Sequence, residues 1–128
     1  MWIQIYRLLV NFNSKNMTAS LKGKQGEERA IQYLEQCGYT LLARNYRCGR
    51  SEIDLIARHE DTIIFIEVKF RTNAGFGWPE EMVSPAQQER IVRAAETYLL
   101  QHNFHNHIRF DIISILGNQI EHFQDAFY

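Results

Sequence analysis

Two short segments place charged side chains inside sequence that is otherwise typical of β-strands. Residues 51–56 are Ser-Glu-Ile-Asp-Leu-Ile, and residues 66–69 are Ile-Glu-Val-Lys. β-branched and apolar residues of this kind favour strands. Because side chains alternate along a strand, Glu67 and Lys69 share one face. A carboxylate and a lysine on one face are groups used in the attack on phosphodiesters.

The segment between these two strands is short enough for a β-hairpin. If its loop has an even number of residues, Asp54 and Glu67 lie on the same face and close enough to hold one ion between them. A three-residue loop would place them on opposite faces. Two carboxylates and Lys69 on one face indicate a divalent-metal site.

A solvent-exposed strand is the simpler alternative, because antiparallel strands with one wet face also alternate charged and apolar residues. Residues 62–70, however, are apolar on both faces until Glu67. This pattern predicts a central strand that is covered on both sides, with its charges at the edge of the sheet. Active sites of α/β folds commonly lie at that edge.

Composition places the chain among ordinary globular domains. It has 128 residues, of which 45% are hydrophobic and 23% are charged, as expected of a single domain with one core. No apolar stretch approaches the length of a membrane-spanning helix. The two cysteines, Cys37 and Cys48, show neither metal-type nor disulfide-type spacing, so we expect a reducing cytoplasmic setting.

Charge is distributed unevenly along the chain. The formal net charge is −1, which argues mildly against a dedicated nucleic-acid binder. Residues 1–58, however, hold nine Lys and Arg against five Asp and Glu, whereas residues 59–128 hold five against ten. A basic surface beside an acidic pocket is compatible with a phosphate backbone as ligand, and ordinary solvated charge is the alternative. The basic residues in question are Lys22, Lys24, Arg29, Arg44, Arg47, Arg50 and Arg58.

The remaining sequence predicts an α/β domain with a mixed sheet. Residues 1–20 are taken as an N-terminal extension that is poorly ordered or loosely docked, and residues 21–128 as the domain. The predicted elements are a helix over 24–37, strands over 39–46, 50–58 and 62–70, a loop over 71–82, a helix over 84–101 and strands over 107–116 and 119–123.

The phase of the first helix distinguishes two neighbouring glutamates. Ala30, Ile31 and Leu34 follow helical spacing and define an inward face that extends to Cys37. Glu27 lies one turn before Ala30 and Ile31 and therefore shares this face. Glu28 is predicted to point to water.

An ordered set of short motifs runs over residues 21–128. Its positions are Gly23, Gly26-Glu27, Ala30, Leu34, Gly38-Tyr39, Asn45-Tyr46-Arg47, 52–56, 65–69, Arg71, Phe76-Gly77, Ala95, Tyr98-Leu99, Arg109-Phe110-Asp111, His122 and Ala126-Phe127. This ordered set resembles the YraN-like family. The family comprises bacterial proteins of uncertain function that are placed in the restriction-endonuclease-like, or PD-(D/E)XK, superfamily, and its pattern is similar to that of archaeal Holliday-junction resolvases.

The resemblance implies a fold and a set of site residues. The implied fold is a restriction-endonuclease-like αβββαβ core. Asp54 and Glu67 would bind Mg²⁺, with the backbone carbonyl of Val68 as a further oxygen ligand. Lys69 would orient or deprotonate a metal-bound water, and Glu27 would complete the outer ligation through water.

The chain departs from the family pattern at two positions. Ser51 stands where the family usually has glycine, and Gln87 stands where it usually has a lysine near the start of the second helix. In some nucleases of this fold a residue of that helix helps hold the water or the phosphate. The residues expected to contact nucleic acid are Lys22, Lys24, Arg47, Arg50, Arg71 and Gln87.

The leading functional hypothesis is a Mg²⁺-dependent endonuclease or nuclease-like protein that acts on DNA, including branched or damaged DNA. The main alternative is a nucleic-acid-binding or protein-interaction module that keeps the fold without turnover, and a third is a purely structural α/β protein. Related resolvases act as dimers, which leaves a homodimer open.

Other polar residues favour structural interpretations. The histidines of segment 102–107 do not match a zinc-binding spacing and indicate a polar loop. Arg109 and Asp111 alternate on one strand face and are predicted to form a structural ion pair. His122 is expected to lie over the core.

Overall fold

The structure, a computed structural model, describes residues 4–9, 19–71 and 79–128. The elements are β1 (Gln4–Leu9), α1 (Ala19–Gln36), β2 (Thr40–Cys48), β3 (Ser51–His59), β4 (Thr62–Arg71), α2 (Pro79–Met82), α3 (Pro85–Gln101), β5 (His107–Leu116) and β6 (Gln119–Gln124). In this part of the chain, no helix is both long enough and apolar enough to cross a membrane.

The six strands form one mixed sheet in the order β1-β6-β5-β4-β3-β2. β4 and β5 are parallel, and the other neighbouring pairs are antiparallel. The predicted mixed α/β fold and its helix, three strands, helix, two strands order are therefore confirmed. β4 lies between β3 and β5 and is covered on both sides, as its apolar sequence predicts, because residues 63–66 are buried.

Each face of the sheet has its own hydrophobic core. On one face, Tyr98 of α3 packs with Phe65 and Phe110; this is the α3-side core. On the other face, Leu34 of α1 packs with Ile64 and other aliphatic residues of the sheet; this is the α1-side core. Both faces of the central strands are therefore buried.

The N-terminal segment differs from the expectation. Gln4–Leu9 forms an edge strand that pairs with β6 along its whole length, although the sequence alone predicts no element over residues 1–20. The pairing satisfies backbone groups that β6 would otherwise leave exposed. Residues 10–18 lie outside the described residues.

Two helix boundaries also differ. α1 begins at Ala19, not at residue 24, because the added turn contains good helix formers that outweigh the cost of Gly23. It ends at Gln36, so Cys37 is exposed and does not belong to the inward face. Gly38, with a φ of 88°, terminates the helix as predicted. The predicted loop over 71–82 contains the short helix α2, and residues 72–78 lie outside the described residues.

Candidate metal centre

The β3–β4 hairpin opens at the end away from its turn, beyond Leu55 and Ile66. We call this opening the fork. Its turn contains two residues, Glu60 and Asp61, because His59 and Thr62 are the first paired residues. Of the two loop lengths that the sequence leaves open, the even one is present. The ladder then stops after the pair of Leu55 with Ile66. Beyond this point β4 continues beside β5, and β3 continues beside β2, so the two strands separate.

Asp54 lies at the point where the strands separate. Its Oδ2 accepts a hydrogen bond from the backbone N–H of Val68 at 2.8 Å. This N–H has no partner in the β3–β4 ladder, so the carboxylate takes the place of the missing strand bond. Ile53 packs in the α3-side core and Leu55 in the α1-side core. Residues two apart in a regular strand share a face; the regular alternation on which the prediction depends is therefore broken at Asp54.

Glu67 and Asp54 form a carboxyl pair. Glu67 is buried, with its side chain 9% exposed, and the two carboxyl groups hydrogen-bond to each other. Burial, followed by the charge of Asp54, raises the pKa of Glu67 to about 8, although Lys69 acts in the opposite direction. Burial also raises the pKa of Asp54. Two neighbouring carboxyl groups repel each other when both are ionised, so the pair retains one proton near neutral pH.

Lys69 and Gln87 complete the immediate surroundings of Glu67. Gln87 Nε2 donates to Glu67 Oε1 at 2.9 Å. Lys69 Nζ lies 3.5 Å from the same oxygen and 3.4 Å from Gln87 Oε1. Gln87 occupies the first turn of α3, where its backbone N–H donates to the N-cap Ser84. The helix start therefore presents the Gln87 amide directly to the carboxyl pair.

Glu27 faces the same region, and Glu28 does not. The Glu27 side chain is 21% exposed, whereas that of Glu28 is 54% exposed. Glu27 lies close enough to Asp54 that its charge contributes, after burial, to the raised pKa of that carboxyl. The predicted orientations of the two glutamates are confirmed. Both also contact Arg44, at 3.8 Å from Glu27 and 2.7 Å from Glu28, so α1 is tied to β2.

Gly26 allows α1 to approach the sheet beside this site. A Cβ at Gly26 would lie 2.8 Å from Cδ2 of Phe70, closer than carbon atoms pack without displacement. Phe70 follows Lys69 in β4. The absence of a side chain at Gly26 therefore sets the depth at which Glu27 enters the region.

The carboxyl pair fits a hard divalent cation. Mg²⁺ prefers oxygen ligands and keeps several waters. Within the described ranges, no three His, Cys, Asp or Glu side chains converge on one point, so water and a backbone carbonyl would complete the coordination. The N–H and C=O of one strand residue point to the same side; the Val68 carbonyl therefore faces the fork, as its N–H does. Asp54, Glu67 and Val68 together form an oxygen-rich donor set.

The residues expected to contact nucleic acid differ in their exposure to solvent. Arg47 and Arg50 are exposed at the end of the β2–β3 hairpin, and Arg47 has a 76% exposed side chain. Arg71 is buried, at 8% exposure, at the end of β4. Lys22 and Lys24 belong to α1, but their side chains lie outside the described residues.

A second polar cluster lies on the α1 side of the sheet. Arg109 binds Asp111 with two hydrogen bonds of 2.8 Å, so the predicted ion pair is present. Asp111 is fully buried, whereas the Arg109 side chain is 22% exposed. His122 contacts Asp111 at 2.7 Å and Tyr33 at 2.9 Å. Burial raises the pKa of Asp111, but hydrogen bonds from His122 and Arg109 outweigh it and hold that pKa below its usual range. This link between β5, β6 and α1 joins residues that are far apart in the chain, so no local pattern predicts it.

Comparison with known proteins identifies the family. The model of the uncharacterised protein family UPF0102 matches residues 26–115. A UPF0102 protein of Persephonella marina is 41% identical over 112 residues, which cover 87% of this chain and 97% of that protein. UPF0102 proteins of Phocaeicola vulgatus and Christiangramia forsetii are 41% and 42% identical over 110 residues, covering 83% of this chain and 91% and 92% of those proteins. This chain therefore belongs to the uncharacterised family UPF0102, the YraN-like family.

Proposed function

We propose that this protein is a Mg²⁺-dependent endonuclease or nuclease-like phosphodiesterase that acts on DNA. The observation that carries the proposal is the buried pair of Asp54 and Glu67 at the fork of β3 and β4, with Lys69 beside it. A raised carboxyl pKa, a nearby cationic side chain and a position where neighbouring strands of the sheet separate are typical of functional sites.

Each residue has a defined role in this proposal. Asp54 and Glu67 would hold the metal, and the Val68 N–H holds the Asp54 carboxylate in the fork. Mg²⁺, when bound, lowers the pKa of a coordinated water and neutralises charge on the phosphate. Lys69 would orient the attacking water and stabilise the negative charge that develops on the phosphate. Glu27 contributes through water from the adjacent helix.

A phosphate backbone is the substrate class that the surrounding charge favours. Arg47 and Arg50 are exposed on the β2–β3 hairpin, which also carries Asp54. Exposed arginines bind phosphate oxygens regardless of base sequence. Branched or damaged DNA is the form of substrate that we expect.

The protein is expected to act in the reducing cytoplasm, in which the thiols of Cys37 and Cys48 remain free.

A cleavage assay tests the proposal. Fluorescently labelled duplex, flap and four-way-junction DNA are incubated with the protein across a Mg²⁺ titration. We expect cleavage of at least one substrate by the wild type and none by Asp54→Asn or Glu67→Gln. Glu89→Gln is a matched control, because Glu89 is an exposed helix residue paired with Arg93. Cleavage that survives both site substitutions would exclude this site as its source.

A non-catalytic DNA-binding module is the second candidate, and the observation that favours it is Gln87. The Gln87 amide binds both Glu67 and Lys69, and it carries no charge where family members usually carry a lysine. In that case Mg²⁺ titration leaves every DNA intact, while gel-shift experiments show binding that Arg47→Ala and Arg50→Ala weaken.

A further inference from the structure

Asn45 of β2 combines an unusual backbone conformation with a position opposite Asp54. Its φ is 51°, in the left-handed region that asparagine adopts more readily than most residues. Tyr46 is paired with Ile53, and the pair on the other side of Asn45 keeps the same register. Asn45 therefore lies across the ladder from Asp54.

Both strands change face at this level of the ladder. Ala43 and Tyr46 pack against the α3-side core although they are three positions apart, and so do Ile53 and Ile56 on the neighbouring strand. In a regular strand, residues three apart point to opposite faces. The left-handed conformation of Asn45 supplies the change in β2 that matches the change in β3.

The Asn45 side chain connects two carboxylates. Either orientation of the amide places its nitrogen within 3.4 Å of a carboxylate oxygen of Glu27. The orientation that satisfies its hydrogen bonds brings the nitrogen to 3.3 Å from both Glu27 Oε1 and Glu52 Oε1. Glu27 belongs to α1 and Glu52 to β3, and both lie close enough to Asp54 for their charges to act on it. One amide thus joins three elements beside the fork.

We infer that Asn45 is a positioning residue for the metal centre. Its left-handed backbone allows β2 and β3 to change face together, which directs Asp54 towards the Val68 N–H. Its amide holds Glu27 beside Asp54. The part of this inference that concerns metal affinity rests on the proposed function, whereas the part that concerns the Asp54 geometry does not.

Two substitutions separate the backbone role from the side-chain role. Asn45→Gly keeps access to the left-handed conformation and removes the amide, whereas Asn45→Ala removes both. Asn103 provides matched controls, because it has a φ of 49° in the loop between α3 and β5, away from the fork. Asn103→Gly and Asn103→Ala measure what the same changes do to the protein elsewhere.

The first measurement is hydrogen exchange of the Val68 amide by ¹H–¹⁵N NMR in the absence of metal. This amide reports the position of Asp54 directly, because it donates to Oδ2. We expect Asn45→Ala to accelerate its exchange about ten-fold relative to core amides of β4, and Asn45→Gly and Asn103→Ala to leave it unchanged. Equal acceleration in Asn45→Ala and Asn103→Ala would overturn the backbone role.

The second measurement is the Mg²⁺ concentration that gives half-maximal thermal stabilisation. We expect Asn45→Gly to raise it about ten-fold, in the range typical of lost outer ligation, and Asn103→Gly to leave it at the wild-type value. Wild-type behaviour of Asn45→Gly would overturn the amide role. A wild type that Mg²⁺ does not stabilise would refute the proposed function instead, and the Val68 amide would still decide the role of Asn45 in placing Asp54.

Discussion

Replacing Glu67 by glutamine tests whether the Asp54–Glu67 pair makes ionisation of Glu67 unfavourable in the metal-free folded protein. The substitution keeps the shape of the side chain and the oxygen that accepts from Gln87, and its amide can donate to Asp54 as the protonated carboxyl does. It removes only the ability to ionise. The pKa of Glu67 is about 8 in the folded protein, against an ordinary value of 4.5.

The pH dependence follows from the sign of this shift. Below pH 4.5 the group is protonated in both states and contributes no pH dependence. Between pH 4.5 and about 8 the unfolded chain releases the proton while the folded protein retains it, so the free energy of unfolding of the wild type falls as pH rises. At about 1.4 kcal/mol per pKa unit the full shift would correspond to roughly 5 kcal/mol.

The expected effect is smaller than this limit. The carboxyl pair lies where β3 and β4 separate and shares one proton, so structural relaxation and solvent reduce the cost of ionising Glu67. We expect the free energy of unfolding of Glu67→Gln to exceed that of the wild type by about 1–3 kcal/mol at pH 8. Above pH 8 the difference becomes constant. Below pH 5 it nearly vanishes, because glutamine mimics the protonated acid.

Urea denaturation in EDTA at pH 5, 6, 7, 8 and 9 measures the difference directly. Glu89→Gln serves as the control, because Glu89 is exposed. The free energy of unfolding of this variant is expected to change with pH in parallel with that of the wild type. Parallel profiles of Glu67→Gln and the wild type over the whole range would refute the reasoning, since they would mean that Glu67 ionises as easily in the fold as in the unfolded chain.

Three further changes have defined outcomes. Gly26→Ala gains about 1 kcal/mol of helix propensity but displaces Phe70, so urea denaturation is expected to show a net change below about 1 kcal/mol, while thermal melts show a weaker response to Mg²⁺; a full response would contradict the positioning of α1. Gln87→Lys places a second cation beside Glu67 and lowers its pKa, so the free energy of unfolding at pH 8 should rise by about 0.5–1 kcal/mol, and an unchanged pH profile would count against it. Phe65→Ala opens the α3-side core and should cost about 3–5 kcal/mol by urea denaturation; a loss below 1 kcal/mol would mean that this core collapses around the gap.

Local patterns in the sequence determined much of the candidate site. The two-residue turn after His59 brings Asp54 to the level of Glu67 in the hairpin, although the break in alternation at Asp54 decides where its carboxylate points. The apolar run before Glu67 predicted a central strand. Helical spacing distinguished Glu27 from Glu28. These predictions succeeded because periodicity and turn length act over a few residues, and their effect is the same wherever the element lies in the fold.

Contacts between distant parts of the chain decided the rest. Gln4–Leu9 becomes a strand because β6, more than 100 residues later, offers a free edge. Arg71 is buried, although it is among the residues expected from the sequence to contact nucleic acid. Asn45 meets Glu27 only after α1 is placed on the sheet, and the raised pKa of Glu67 arises from burial that no local pattern encodes. Desolvation and strand pairing depend on which surfaces meet, and that is settled by packing of the whole domain.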